Sequence, residues 1–147
     1  MHLPAAPARL RNMTPSEPQV RKSDAAWRQE LSPDQYAVLR EAATEAPFTG
    51  ALLHNKETGM YVCGGCGAAL FASDSKFDSG CGWPSFTHPE TRENVVLLED
   101  RSHGMHRTEV RCKQCNSHLG HVFDDGPGPE GTRYCINSLA LGFQKQD

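Results

Sequence analysis

The sequence predicts a mainly β domain: a small sandwich or barrel of antiparallel strands, with short helices before it and a four-cysteine zinc site. From Gly50 onward, short apolar runs are separated by turn residues every few positions, which favours antiparallel strands. Two helix-start signals precede this region, and two Cys-x-x-Cys pairs lie within it. The runs expected as strands are 59–62, 68–71, 94–98, 108–111, 118–123, 134–136 and 139–143.

Two short helices are expected near the N-terminus. Ser23 and Asp24 can cap a helix over residues 25–30. Ser32 can accept a hydrogen bond from the backbone amide three residues later, and a proline follows it at the first helical position. We expect this second helix to continue through residue 46, where Pro47 ends it.

Composition restricts the domain count and the class of partner. A chain of 147 residues indicates one domain, and 15 basic against 18 acidic residues leave no basic field for nucleic acid. No run approaches about 18 apolar residues, so no membrane span is expected. Residues 1–22 are rich in proline and basic residues and have no apolar stretch typical of a secretory signal. They are expected to form a disordered tail, although a later start at Met13 or a weak targeting segment stays open.

Four of the six cysteines have the spacing of a metal site. Each Cys-x-x-Cys pair places two thiolates on one tight turn, and two such turns complete the tetrahedron that zinc accepts. A redox dithiol would need a βαβ setting, which the pattern lacks. Four thiolates leave no open coordination position, so one structural zinc ion is predicted. Because the cysteines have metal-site spacing and no secretory signal is evident, we expect a reducing compartment, most simply the cytoplasm. The predicted ligands are Cys63, Cys66, Cys112 and Cys115.

The remaining cysteines, Cys81 and Cys135, have settings that suggest reactivity. Cys81 lies between two glycines, in a loop expected to be exposed and able to move. Cys135 lies in a strand-like run with Arg133 on the same face, and a nearby cation lowers a thiol pKa. Either thiol alone could instead be a small buried apolar side chain.

Polar and aromatic residues near these thiols indicate a catalytic site. His118 and His121 supply imidazoles suited to proton delivery, and Asn137 offers a neutral amide on the strand face of Cys135. Trp83 can form an apolar wall. A thiol, a cation, an amide and two imidazoles together favour nucleophilic attack on a polar, uncharged centre.

Five segments occur in order along the chain. They are the Cys-x-x-Cys pair at 63–66, FDSGCGWPSF at 77–86, SHGM at 102–105, HLGHVF at 118–123 and RYCINS at 133–138. Together they closely resemble the B-type methionine sulfoxide reductases, from about Trp27 to Phe143. The resemblance implies two antiparallel sheets with short N-terminal helices. Residues 23–147 are therefore expected to form a single domain that reduces the R epimer of methionine sulfoxide, free or in protein.

The resemblance also implies a role for each matched residue. Cys135 matches the catalytic cysteine and Cys81 the resolving one, while Trp83 matches the residue that holds the substrate methyl group. The residues that match the polar side of the pocket are His118, His121 and Asn137. The residues that match supporting or further substrate-binding positions are Asp125, Arg133, His103 and Phe143.

The implied reaction passes through a Cys135 sulfenic acid and a Cys81–Cys135 disulfide, which thioredoxin reduces. No organic cofactor is expected. Two other classes of function stay open: a zinc-ribbon-like binding module without turnover, and a zinc hydrolase or deaminase. The second would need an open metal position and a general-base glutamate in an HxE motif combined with PCxxC, a combination that the sequence lacks.

Overall fold

The computed structural model describes residues 19–146. Most of the predicted tail, residues 1–18, therefore lies outside the described residues, as does Asp147. The last part of that tail contacts the domain: the Val20 amide donates to the Gln114 carbonyl at 2.7 Å, and Lys22 pairs with Glu30. Two residues of the predicted tail, Val20 and Lys22, thus contact the domain.

Two helices form where the sequence predicts them. Helix α1 spans Asp24–Glu30 and helix α2 spans Pro33–Glu41. The Ser23 and Ser32 hydroxyls accept from the amides of Ala26 and Gln35 respectively, and Ser32 takes part in a complete capping box. The prediction of two short, capped N-terminal helices is confirmed.

The predicted end of α2 at residue 46 is wrong. The helix ends at Glu41 because Ala42 adopts a left-handed conformation with φ of 60°, and the Ala43 amide returns to the Ala37 carbonyl. The residues that follow lie outside any helix or strand, and Glu45 bonds to Asn137 and Ser138 instead of to the helix. These tertiary hydrogen bonds outweigh the local preference for continuing the helix.

Within residues 19–146, nine strands form two antiparallel sheets, which confirms the predicted fold class. A three-stranded sheet has the order β2-β1-β9, and a six-stranded sheet has the order β3-β4-β8-β7-β6-β5. The strands are β1 Gly59–Cys63, β2 Ala69–Ala72, β3 Lys76–Phe77, β4 Ser85–Phe86, β5 Val95–Asp100, β6 Arg107–Cys112, β7 His118–Phe123, β8 Arg133–Ile136 and β9 Leu141–Lys145. One predicted strand, 139–143, is partly wrong, because a 3₁₀ turn at Ser138–Ala140 precedes β9.

The apolar core lies between the two sheets and under the helices. Phe71 of the small sheet stacks on Phe86 of the large sheet at 4.4 Å between ring centroids, and Tyr61 meets Phe86 edge-on at 5.1 Å. Trp27 of α1 is buried, and the Arg40 guanidinium lies 4.5 Å above its ring. Arg40 also donates to the Cys115 carbonyl, so the helices pack directly against a cysteine turn.

Among residues 19–146, no helix is long and apolar enough to cross a membrane.

Candidate active site and metal centre

The four predicted metal ligands lie together. All four sulfurs are within 4.8 Å of one another, with 3.6 Å from Cys66 to Cys112 and 3.7 Å from Cys63 to Cys115. A regular tetrahedron with zinc–sulfur distances of about 2.3 Å requires sulfur–sulfur separations of about 3.8 Å. The donor set and its spacing therefore fit a metal ion held by four thiolates.

The two cysteine turns have the same backbone design. Each first cysteine ends a strand, Cys63 on β1 and Cys112 on β6, and its carbonyl accepts from the amide four residues later. The residues at those amides, Gly67 and Asn116, have φ of 82° and 64°. Because β1 and β6 belong to different sheets, the four sulfurs connect the small sheet to the large one.

The other two cysteines form a close pair. Cys135 lies on β8 and Cys81 lies in the loop before β4, with 3.6 Å between their sulfurs. Ser79 donates to the Cys81 sulfur at 2.9 Å. Gly80 and Gly82 have φ of 79° and 98°, a conformation in which any side chain would be strained. These glycines allow the loop to turn Cys81 toward the strand.

The two thiols have different acidities. Burial alone raises the pKa of Cys81, but hydrogen bonds with Ser79 and Ser85 outweigh it and lower the pKa to about 7. Burial and the adjacent Cys81 raise the pKa of Cys135 to about 12, and Arg133 offsets this only in part. The sequence pattern suggested only the Arg133 effect. Cys81 is therefore the more acidic thiol of the resting pair.

The paired sulfurs border a pocket of about 190 Å³. Its size suits one side chain better than a large cofactor. The lining residues are Thr44, Cys81, Trp83, Arg107, Gly120, His121, Phe123, Arg133, Cys135 and Asn137. The fold thus brings six of the predicted site residues to one cavity.

The segment after α2 holds two walls of this pocket. The Glu45 carbonyl accepts from Trp83 Nε1 and its amide donates to Asn137 Oδ1, both at 3.0 Å. The buried Glu45 carboxylate accepts from the amides of Ser138 and Leu139 at 2.9 and 2.8 Å. One residue therefore fixes both the aromatic wall and the amide wall.

The two predicted histidines have different positions. His121, opposite Cys135 in the β7–β8 ladder, lines the pocket, whereas His118 is buried beside it with 5.6 Å between the ring centroids. Burial lowers the pKa of His121, although Asp100 raises it in part. His121 Nε2 lies 2.8 Å from Asp100 Oδ2, which leaves Nδ1 as the nitrogen able to serve a substrate.

His118 has its own carboxylate partner, because its Nδ1 lies 2.7 Å from Glu109 Oε2. Burial raises the pKa of Glu109, but hydrogen bonds from His118 and Arg111 outweigh it and lower the value to about 2. Two imidazoles, each oriented by a carboxylate, therefore lie next to one another at the inner side of the pocket.

Comparisons with known proteins agree with this geometry. A family model described as the SelR domain matches residues 31–145. The peptide methionine sulfoxide reductase MsrB of Bradyrhizobium diazoefficiens is 63% identical over 129 residues, which cover 88% of this chain and 93% of the relative. The MsrB proteins of Leptospira interrogans and Methanosarcina mazei are 56% and 55% identical over 128 residues. These regions cover 87% of this chain in both cases, and 98% and 91% of the two relatives.

The chain belongs to the B-type methionine sulfoxide reductase family. It is therefore an enzyme of the oxidoreductase class, which the sequence predicted. The alternative of a binding module without turnover finds no support in this membership. A zinc hydrolase would need an open metal position, whereas the cluster supplies four thiolates.

Two further predicted residues, Asp125 and Phe143, do not line this pocket, and a third, His103, has a side chain that the structure does not describe. Asp125 lines a second cavity together with Cys81 and accepts two hydrogen bonds from Arg133, of 2.8 and 3.2 Å. Phe143 lies on β9 against Tyr61, in a cavity on the small sheet, so the structure does not bring it to the substrate pocket. The side chain of His103 lies outside what the structure describes.

Several residues at the site were not anticipated from the sequence. Glu45 lies 38 residues before its partner Trp83, in what was expected to be the end of a helix. Arg107, which was not among the predicted site residues, also lines the pocket. Asp100 and Glu109 orient the histidines. The period-two spacing of Arg107 and Glu109 was a usable signal, because it places both on one strand face.

Proposed function

We propose that this reductase converts methionine-R-sulfoxide, free or in oxidised proteins, into methionine. The observation that carries the proposal is the pair of Cys135 and Cys81 sulfurs, 3.6 Å apart at a small pocket with an aromatic wall. Trp83 supplies apolar contact for the methyl group, and His121 and Asn137 supply polar groups for the sulfoxide oxygen. Such a division between apolar and polar walls can discriminate between the two epimers at sulfur.

The first chemical step is attack by the Cys135 thiolate on the sulfoxide. As the sulfur–oxygen bond breaks, the oxygen and one proton end on Cys135 as a sulfenic acid, and methionine leaves with the two electrons that the thiolate supplied. His121 is our choice for the proton donor, since it lines the pocket, while buried His118 acts beside it. Arg133, held by Asp125, favours the thiolate form of Cys135.

The second step converts the Cys135 sulfenic acid into a disulfide with Cys81. The Cys81 thiol attacks the sulfenic sulfur, a disulfide forms and water leaves. The two sulfurs need to approach by only about 1.6 Å for this bond, so a small loop movement is sufficient. An external dithiol, for which we propose thioredoxin, then reduces the disulfide and becomes oxidised itself.

We propose that the four-cysteine cluster holds one zinc ion. Cys63, Cys66, Cys112 and Cys115 would bind it as thiolates, and the bound ion supplies a cross-link between the sheets and no reaction chemistry. A protein that works with free thiols and a thioredoxin partner fits a reducing compartment, for which we propose the cytoplasm. We expect no role for nucleic acid or membrane partners.

A stereochemically resolved assay tests this function. Purified protein with dithiothreitol should consume methionine-R-sulfoxide and leave the S epimer, and Cys135→Ser should abolish the reaction. Ser73→Ala, remote from the pocket, serves as a control for the effects of mutation. Equal consumption of both epimers, or retained activity in Cys135→Ser, would contradict the proposal.

A further inference from the structure

Two arginines line the substrate pocket and differ in how they are engaged. The Arg133 guanidinium is held by both carboxylate oxygens of Asp125, at 2.8 and 3.2 Å. Arg107 has one polar contact among the described residues, a long 3.5 Å approach of Nη2 to Asp100. A guanidinium carries five N–H donors in a planar fork that suits two-point binding of an oxygen acceptor. Arg107 therefore keeps most of its donors uncommitted at a substrate surface.

The one partner of Arg107 is itself shared. Asp100 accepts from the Ser102 amide at 2.9 Å and bonds to His121 at 2.8 Å. Arg107 Nε is buried and, within residues 19–146, has no hydrogen-bond partner. An unpaired buried donor is costly, and a ligand oxygen that reorients the guanidinium would relieve that cost. These contacts mark Arg107 as a donor in need of an acceptor.

The position of Arg107 relative to Cys135 fits the length of a methionine side chain. Arg107 lies on β6, and β7 separates it from β8, which carries Cys135. Adjacent strands are about 4.8 Å apart, so the two backbones are about 10 Å apart across the sheet. In methionine sulfoxide the carbonyl oxygen lies about 5–6 Å from sulfur, judged from bond lengths. With the sulfur at Cys135, the carbonyl falls within reach of the long Arg107 side chain.

The residues between the two arginines support this direction for the substrate. Thr108 pairs with Val122, and Phe123 pairs with Arg133, so Phe123 lies between the two arginines in the sheet. Phe123 lines the pocket, and the Arg133 guanidinium covers its ring at 4.6 Å. This apolar floor suits the methylene groups of the substrate, with polar groups at both ends.

We propose that Arg107 binds the main-chain carbonyl oxygen of the oxidised methionine, which is a carboxylate oxygen in the free amino acid. The inference rests on the proposed function and adds a subsite to it. Arg107 would thereby select sulfoxides that carry an amino-acid backbone and would place the sulfoxide sulfur at Cys135.

The test compares three substrates in the wild type and in Arg107→Met. Free methionine-R-sulfoxide and the R epimer of N-acetyl-methionine sulfoxide amide both carry the oxygen, whereas ethyl methyl sulfoxide lacks a main chain. We expect KM for the first two to rise roughly tenfold or more, with a much smaller change in kcat, because one charged hydrogen bond is lost. The loss in kcat/KM for ethyl methyl sulfoxide should be at least tenfold smaller.

Two further variants test whether the change in KM comes from loss of the Arg107 guanidinium. Arg107→Lys keeps the charge without the fork and should recover part of the lost affinity. Arg101→Met removes an exposed arginine that pairs with Glu99 and should leave the substrate ratio as in the wild type. Thermal unfolding of each variant checks the fold.

Equal losses on all three substrates would overturn the proposal, since Arg107 would then act at the sulfoxide or through Asp100 and His121. Unchanged KM values, or a loss on the free amino acid alone, would also overturn it. If the wild type reduced none of the three sulfoxides, the proposed function would have failed instead.

Discussion

Two pairs of cysteine sulfurs in this reductase are separated by the same distance but have different surroundings. Cys66 and Cys112 lie 3.6 Å apart, as do Cys81 and Cys135. The first pair is part of four sulfurs gathered by two rigid turns, each with its own backbone hydrogen bonds. The second pair joins a strand to a glycine-flanked loop beside a pocket. Sulfur separation alone therefore does not tell a structural thiol from a reactive one.

The two pairs differ in the groups that surround each sulfur and therefore in its reactivity. In the zinc site proposed for the cluster, each thiolate would donate a lone pair to the metal, and the ligands are held by turns on two sheets. Cys135 instead lies next to an imidazole, a guanidinium and a second thiol that can reach it. The first arrangement stabilises the fold, and the second supports a reaction.

The largest expected effect is loss of the fold when the cluster is broken. Cys112→Ser removes a buried member of the proposed zinc site that joins the sheets, and metal binding in such sites contributes on the order of 10 kcal/mol. A typical domain has a free energy of unfolding of only about 5–15 kcal/mol. The variant should therefore lose its metal and its folded state, and show no cooperative thermal transition. Cys135→Ser is the control and should keep about one zinc per chain. Metal analysis and thermal unfolding measure this, and a well-folded wild type without metal would refute the cluster assignment.

The next effect concerns recycling. Cys81→Ser should still form about one methionine per enzyme without added reductant and leave Cys135 as a sulfenic acid. Turnover with thioredoxin should collapse, because no Cys81–Cys135 disulfide can form for exchange. Methionine yield and free-thiol count in one enzyme-excess turnover measure this. A variant that forms no methionine would reverse the two roles, and normal cycling with thioredoxin would remove Cys81 from the pathway.

A smaller loss is expected when a proton donor is removed. His121→Ala should slow the single-turnover reduction by roughly 10²–10⁴, the range for loss of a general acid. His118→Ala should slow it less, since His118 lies outside the pocket lining. Stopped-flow measurement of methionine formation compares the two. If neither change slows the step, His103 becomes the candidate donor.

The pH dependence follows from the His121 environment. Its pKa lies below the ordinary value, so the protonated, acid-competent form is lost as pH rises through that lowered value. In the wild type, the His121-dependent part of the rate should therefore fall with increasing pH, and His121→Ala should lack this fall. A pH profile identical in both proteins would show that another group supplies the proton.

The smallest effect separates the thiols by acidity. With a pKa of about 7, Cys81 should be alkylated by iodoacetamide with a midpoint near pH 7, because its thiolate forms there. Cys135, with a pKa raised to about 12, should react slowly below pH 10. In Cys81→Ser, the midpoint for Cys135 should fall, because Cys81 is one cause of the raised value. Mass spectrometry of the alkylated peptides checks each site, and faster labelling of Cys135 than of Cys81 would contradict the assignment.

The sequence alone determined the features that depend on local chemistry. The capping signals at Ser23 and Ser32, the spacing of the cysteine turns and most of the strands are visible there, because each depends on a few consecutive residues. The matching motifs also placed Cys135, Trp83 and His121 among the site residues, and the structure brings these three to one pocket.

Only the tertiary structure decided how distant segments meet. The helix ends at a left-handed Ala42, and Glu45 then forms hydrogen bonds with Trp83 and Asn137, which no local pattern reveals. The long 3.5 Å contact between Arg107 and Asp100 is likewise invisible in the sequence. The Arg107 guanidinium is available to a substrate because Asp100 is shared with His121 and Ser102. Burial and cross-strand neighbours set these energies, and both arise only when the sheets assemble.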